Sequence, residues 1–387
     1  MPTVPTYDLV VVGGGVQGLW IARTARVAGL TVALVEAARC GAGASGGLLG
    51  ALMPHMPAPW GQKKAFQFEA LAEMEGLLRA LESETGIATG YDRVGRLMAI
   101  RNERFRETAL ARAAASRDLW RHAAANFRLD VVPGNAFPDW IAPRQAPFGL
   151  LHDTLSARIH PRQYLAALEA AAIRHGAALQ EGWRFAAWDP ATGTVSATDG
   201  ARIRSARVIL ANGHEAFTTA RSVTAADLGG GIKGQAAMLH LARPLAGARP
   251  ILYDDGLYLV AHGPQSVAIG STTESDWHDA AATDELIDQR IDAARALSPA
   301  LDGADIRCRW AGIRPKAWRR DPIVGPLDDT ETLFIASGGF KITFGIAHAI
   351  AREAVAWITT GRPAEHLPET FRSTAHLTAA ADASHER

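Results

Sequence analysis

The feature that most constrains this chain lies within its first forty residues. Residues 9–12 form a short apolar, β-branched run that ends in Gly13-Gly14-Gly15-Val16-Gln17-Gly18. Such a run fits a buried parallel strand, and the glycines match G-x-G-x-x-G. Gly13 allows a tight turn, Gly15 lets backbone approach a pyrophosphate, and Gly18 lets helix pack on strand. Residues 17–28 carry helical apolar spacing closed by Gly29, and residues 31–36 read as a second strand. The start of that helix offers free N–H groups and partial positive charge to phosphates. Glu36 stands 18 positions beyond Gly18, close to the spacing at which a carboxylate takes ribose hydroxyls. An acid there argues against a 2′-phosphate. The loop alone does not choose between NAD and FAD, and an NAD-dependent dehydrogenase is the rival reading.

Residues 39–54, R-C-G-A-G-A-S-G-G-L-L-G-A-L-M-P, tip the choice. A run of small residues after the second strand lets backbone approach a long cofactor, which an NAD enzyme has little reason to need. The 387 residues suffice for two packed domains. Forty basic and forty acidic side chains balance, so no nucleic-acid partner is expected. Cys40 and Cys308 form neither a disulfide framework nor metal-ligand spacing; no metal is expected, and a reducing cytoplasm fits. No stretch reaches the roughly 18 apolar residues of a membrane span, and the N-terminus lacks the basic region of a signal peptide.

Helices are expected at residues 65–84, 103–126, 162–175 (closed by Gly176) and 345–359. Strands are expected at 183–188, 194–197, 208–211, 236–241, 257–261, 267–270 and 333–336. Dinucleotide-type elements thus recur at the start, middle and end, with mixed β segments between. The implied fold class is α/β: a Rossmann-type FAD-binding domain interleaved with a mixed antiparallel-sheet α+β substrate domain. Residues 1–85, 150–220 and 325–375 would form the first, residues 86–149 and 221–324 the second, and residues 376–387 a loose tail.

Several separated segments then resemble the D-amino-acid oxidase-like flavoproteins, which include glycine oxidase and monomeric sarcosine oxidase. They are V-V-V-G-G-G-V-Q-G at 10–18, G-A-S-G-G-L-L-G-A-L-M-P-H at 43–55, I-H-P-R-Q-Y-L at 159–165 and A-N-G-H-E at 211–215. Next come G-I-K-G-Q at 231–235, Y-L-V at 258–260 and A-I-G-S-T-T-E at 268–274. The last are W-A-G-I-R-P at 310–315, D-P-I-V-G at 321–325 and S-G-G-F-K-I-T-F-G at 337–345. Their order along nearly the whole chain is the specific signal. The resemblance implies FAD as cofactor, with hydride transfer from the substrate C–H to flavin N5 and hydrolysis of the resulting imine. The implied substrate is a small amino acid or secondary amine with a carboxylate, such as an N-substituted glycine. The electron acceptor would be oxygen or another acceptor, and a homo-oligomer is compatible. A dehydrogenase passing electrons to a quinone or protein, or a flavoprotein subunit of a larger amine oxidase, are the alternatives.

The same resemblance assigns residues. Arg314 would clamp the substrate carboxylate, a role suited to a guanidinium fork that stays charged when buried. Lys341 would meet that carboxylate near the flavin, and Tyr258 would add its hydroxyl. Of the histidines His55, His214 and His262, His55 is best placed as a base. The implied cofactor residues are Gly13, Gly15, Val16, Gln17, Gly18, Glu36, Ala44, Ser45, Gly46, Leu52, Phe185, Ala211, Gly213, Gly312, Gly338, Gly339, Phe340, Lys341, Ile342 and Thr343.

Two departures matter. The position where sarcosine oxidase attaches its flavin through cysteine, seven before Asp321, holds Arg314, so FAD is expected to be noncovalent. The place of its oxygen-activating lysine holds Ala268, which leaves a dehydrogenase open. The segment at 43–54 also resembles the oxidase domain of a bifunctional tRNA wobble-uridine modification enzyme, which suggests an N-substituted glycine. Arg314 and Lys341 together would also suit a diacid such as iminodiacetate.

Overall fold

In the computed structural model, residues 4–123 and 125–385 are described. β1 (Thr6–Val12), α1 (Val16–Val27) and β2 (Val32–Glu36) form the expected unit. β1 and β2 pair in parallel from Leu9↔Val32 to Val12↔Val35. Gly13 turns the chain with φ +108, and its N–H donates to the Val35 carbonyl at 2.8 Å. A Cβ on Gly18 would lie 1.9 Å from the Gly13 carbonyl oxygen. Helix and loop therefore meet at a distance only hydrogen permits.

Five strands run parallel in the order Ala178–Glu181, β2, β1, Arg202–Leu210, Leu333–Ser337. Numbered by sequence this is 3-2-1-4-5, the dinucleotide-binding order, with its crevice beyond the carboxyl ends of the central strands. The first half of Arg202–Leu210 pairs instead with Thr194–Ala197, which carries Phe185–Asp189 at the edge. α1 packs with Pro161–Arg174, Gln62–Thr85 and Thr343–Thr360 on one face. Buried polar groups between these helices are paired, as burial demands. Trp20 Nε1 donates to Tyr164 Oη at 2.6 Å, and Gln17 Nε2 donates to the Ala347 carbonyl at 3.2 Å.

A second eight-stranded sheet runs Asp305–Ala317, Gly229–His240, Ser266–Gly270, Leu257–Gly263, Ile251–Asp254, Arg96–Ala99, Leu150–Asp153, Leu129–Val132. Only the Ile251–Asp254/Arg96–Ala99 pair is parallel. Helix Glu285–Leu297 covers one face, burying Ile287, Ile291, Ala294 and Leu297 at helical spacing. The other face looks toward the first sheet and carries Arg96, Met98, Tyr253, Tyr258 and Arg314.

Three expectations are corrected. The helix from residue 103 ends at Leu119, not near 126. Trp120 is buried, and Ser116 Oγ accepts the Leu129 N–H at 3.1 Å, which turns the chain back toward the second sheet through a short hairpin. Leu150–Asp153, placed with the cofactor-binding part, is a strand of the second sheet. The stretch from residue 376 belongs to helix Ser373–His385, not to a loose tail. Ser373 Oγ anchors it on the Pro326 carbonyl at 2.7 Å, His376 is buried, and Leu377 and Ala380 pack on the core. Its alanines are helix formers rather than linker residues. Residues 386–387 lie outside the described residues. Among the described residues, no helix is long and apolar enough to cross a membrane.

Gly18→Ala forces the added methyl against the Gly13 carbonyl. The expected outcome is a loss of roughly 1–3 kcal/mol or more, read as a lower urea midpoint together with reduced cofactor retention. Wild-type values for both would refute the close-packing argument.

Candidate active site

A cavity of about 790 Å³ opens between the two sheets, where the parallel strands end. Its deep wall begins at the glycine loop. Gly15 is the N-cap residue of α1 and supplies no side-chain cap. Ser45 Oγ accepts the Val16 N–H at 3.1 Å, tying the small-residue loop to the helix start. The Glu36 carboxylate, at the end of β2, accepts from Gly14 N–H at 2.7 Å and Ala38 N–H at 2.9 Å. Ser337 Oγ donates to the Gly213 carbonyl at 2.8 Å and joins the last two parallel strands at their ends.

Of the residues expected at the cofactor, Gly13, Gly15, Val16, Gln17, Glu36, Ala44, Ser45, Phe185, Ala211, Gly213, Gly312, Gly338, Gly339, Phe340, Lys341, Ile342 and Thr343 line this cavity. Gly18, Gly46 and Leu52 do not. Gly18 packs helix on loop, and a Cβ on Gly46 would fall 2.1 Å from the Gly41 carbonyl. Leu52 is core. These three shape the walls without forming the surface. The donor set fits a dinucleotide: a helix start whose N-cap residue is a glycine, a carboxylate at the end of the neighbouring strand, and glycines where a Cβ would fill the cradle.

The residues expected at the substrate converge at the other end. Arg314 projects from Asp305–Ala317 and lies flat on Gly229–His240. A Cβ on Gly234 would approach Arg314 Nη2 to 2.4 Å, so the glycine makes room for the guanidinium. Nη1 donates to Ser271 Oγ at 3.1 Å, and Nη2 donates to the carbonyls of Thr272 at 2.7 Å and Lys233 at 3.1 Å. Nε has no partner, and no carboxylate pairs with the group among the described residues. Burial pushes its pKa down to about 10, against the pull of Tyr258 and Glu274, so it is charged at neutral pH. The guanidinium stands over the Phe340 ring at 5.0 Å.

Lys341 Nζ lies 5.5 Å from the Tyr258 ring centre and 5.7 Å from that of Phe340. The crowding protein first, then Arg314 and Arg290, push its pKa down to about 8. Burial pushes the Tyr258 hydroxyl up to about 12, so it remains an O–H donor. His55 lines the same end. Gln67 Nε2 donates to the Met53 carbonyl at 3.1 Å, which turns Gln67 Oε1 toward His55 Nδ1. His55 Nδ1 then carries the proton, and Nε2 keeps its lone pair. Burial lowers the His55 pKa and keeps the ring neutral near pH 7. His214 also lines the cavity. His262 does not: its Nε2 donates to the Leu48 carbonyl at 2.9 Å, and burial pushes it down to about 4.

Sequence reasoning missed Arg96, Tyr253, Gly234 and Trp183, all on the cavity wall. Gly234 falls within the quoted segment 231–235, and Trp183 opens the strand expected at 183–188, but neither was singled out for the site. Arg96 depends on Asp153, 57 positions away, and no short-range pattern marks it. Sequence spacing also hides a meeting of Cys40, Glu169 and Glu181, whose ligand-type atoms lie within 4.8 Å of one another. Burial and the nearby carboxylates push the Cys40 thiol up to about 12, so it keeps its proton. Both cysteines are free, and neither lines the cavity.

A family model described as "DAO: FAD dependent oxidoreductase" matches residues 8–357. Glycine oxidase of Geobacillus kaustophilus (strain HTA426) is 26% identical over 347 residues, covering 87% of this chain and 88% of the relative. The crystal structure of glycine oxidase from Geobacillus kaustophilus superposes with a TM-score of 0.82 at 21% identity, over 96% of this chain and 98% of the other. Iminodiacetate oxidase from Chelativorans sp. BNC1 superposes with a TM-score of 0.80 at 20% identity, over 94% and 98%. At these identities the two structures establish a shared fold.

The depressed Lys341 fixes the sign of one pH effect. Its ammonium is present below about pH 8 and lost above it. A simple carboxylate such as acetate should therefore bind the holoprotein more weakly as pH rises through about 8, by roughly tenfold or less. Spectral titrations between pH 6.5 and 9.5 check this. An unchanged step in Lys341→Met would place the titration elsewhere.

Proposed function

The chain belongs to the DAO family of FAD dependent oxidoreductases, and from that premise we propose that it oxidises a small amino acid or N-substituted glycine at the carbon bearing the amine. The carrying observation is Arg314, a charged, crowded guanidinium on the cavity wall that, among the described residues, is in ion-pair contact with no carboxylate, Glu274 acting on it only from farther off. A buried cation without a contacting counterion is costly, and a substrate carboxylate supplies that contact. The Tyr258 hydroxyl and the Lys341 ammonium stand beside the same position and complete an anion-binding corner. FAD is noncovalent in this reading, since neither cysteine reaches the cavity.

Glu36 is suited to take the ribose hydroxyls, and the start of α1 the pyrophosphate. The loop around Ala44 and Ser45 borders that helix start, and the segment Gly338–Thr343, beside Arg314 and Tyr258, would border the ring system. When bound, FAD supplies the electron sink that takes a hydride from the carbon bearing the amine. The protein's work is placement. Arg314, Tyr258 and Lys341 fix the carboxylate, and this orients the adjacent C–H bond. A neutral His55 adds no competing charge near the amine and offers a lone pair to it. Released imine hydrolyses in water. Ala268, sealed in the second sheet where sarcosine oxidase would carry its oxygen-activating lysine, favours an acceptor other than oxygen as the second reading.

Purified holoprotein mixed anaerobically with glycine, sarcosine, D-alanine or D-proline should lose its flavin absorbance with at least one of them. No bleaching by any carboxylated amine would overturn the amine reading. Repetition in air separates oxidase from dehydrogenase. Arg314→Lys keeps the charge but loses the fork. It should raise KM for carboxylated amines roughly 10- to 100-fold, matching about 1.5–3 kcal/mol for a charge-assisted bond, with a smaller change in kcat. Unchanged kinetics would remove Arg314 from the site.

A further inference from the structure

Behind the Arg314 wall of the cavity lies a carboxylate that does not pair with it. The Glu274 side chain is 10% exposed. The Lys233 carbonyl accepts from Arg314 Nη2 at 3.1 Å and from the Glu274 N–H at 3.0 Å. One carbonyl oxygen therefore separates the guanidinium from the Glu274 backbone, a gap that a glutamate side chain spans. A contact ion pair is the usual way to satisfy a buried arginine and a buried glutamate together. This chain pairs the acid differently.

Both Glu274 oxygens are engaged elsewhere. Oε1 accepts from Gln235 Nε2 at 3.0 Å and from the Thr272 hydroxyl, and Oε2 lies 3.5 Å from Lys233 Nζ. Gln235 is fully buried and fixed in turn by Asp284. Its Nε2 also donates to Asp284 Oδ1 at 2.8 Å, and its Oε1 accepts the Asp284 N–H at 2.9 Å. The amide cannot turn away from Glu274 without breaking those bonds. Lys233 is only 4% exposed, a costly place for an ammonium, and its second partner is Asp284 at 4.0 Å. Neither Lys233 nor Glu274 lines the cavity. Two cations thus lie buried on either side of one acid, and the acid goes to the cation that does not face the ligand.

We propose that Lys233 and Gln235 are positioning residues of the anion site: they hold the Glu274 carboxylate off Arg314, which keeps the guanidinium open to the carboxylate of a ligand. This rests on the reading of Arg314 as the carboxylate clamp. Glu274 is then a restrained competitor for the place of the substrate's own charge.

The test titrates the flavin absorbance of the holoprotein with acetate, which needs no turnover. Lys233→Met releases Glu274 Oε2 toward Arg314 and should weaken acetate binding at least about tenfold. With an amine that reduces the flavin, KM should rise by a similar factor while kcat stays within about threefold. Lys233→Met combined with Glu274→Gln removes the competitor and should restore acetate binding to within about threefold of wild type. A purely structural role predicts the reverse, since the double variant disrupts more of the buried cluster than the single one. Glu274→Gln alone, a near-isosteric change, should bind acetate as tightly as wild type or more tightly. Should Lys233→Met not fold, Gln235→Met with and without Glu274→Gln makes the same comparison from the other oxygen. Unchanged acetate binding in Lys233→Met, equal weakening in the single and double variants, or a tenfold loss in Glu274→Gln alone overturns the proposal. If Arg314→Lys weakens acetate binding and Lys233→Met does not, this inference alone fails. If Arg314→Lys binds acetate as wild type does, the clamp reading fails and this inference falls with it.

Discussion

The contact between the start of α1 and the turn after β1 is the constraint on which the site depends. Hydrogen alone fits between Gly18 and the Gly13 carbonyl. That approach sets α1 against the sheet, points its glycine-capped N-terminus into the cavity, and brings Gly14 N–H onto Glu36. From there the rest follows by attachment. Gln17 holds the helix that ends the chain's sheet-building part, and Ser45 holds the small-residue loop. The segment Gly338–Thr343, which opens helix Thr343–Thr360, thereby arrives at the same cavity as the glycine loop, more than three hundred residues away in sequence.

The second sheet contributes what the first cannot. A dinucleotide-binding sheet ends in backbone N–H groups and glycines, which bind phosphate but do not discriminate among substrates. Arg314, Tyr258 and Arg96 all stand on the facing sheet, with Lys341 reaching across from the first. Among the described residues, neither Arg314 nor Lys341 makes an ion pair with a carboxylate of the protein. Burial depresses both, yet Arg314 keeps its charge and Lys341 keeps most of its own near neutrality. The cavity is thus cationic at one end, and an anionic ligand relieves that field.

The glycine turn, the acid at the end of β2 and four of the five parallel strands were legible because each rests on a local rule of spacing; the edge strand Ala178–Glu181 was not expected. Arg314 and Lys341 were legible through segments matching known flavoproteins, and both line the cavity. The long strand Asp305–Ala317 was not legible. Its arginines, lysine, proline and glycine break the two-residue alternation, because one face is the active cavity rather than a core. Arg96 was invisible for a related reason: a charged residue in a short strand reads as surface until Asp153 is seen opposite it across the ladder. The helix Ser373–His385 was misread because alanine and serine content suggests a linker, whereas a few buried contacts, such as His376 and Leu377, dock it.

The central claim is that the cavity positions a carboxylated amine so that its carbon-bound hydrogen leaves as hydride. The most direct test is the rate of anaerobic flavin bleaching by sarcosine or iminodiacetate, compared with the same compound deuterated at the carbon between amine and carboxylate. The account predicts a slower bleaching rate for the deuterated compound at saturating concentration. Bleaching at equal rates, or none with either compound, would contradict it.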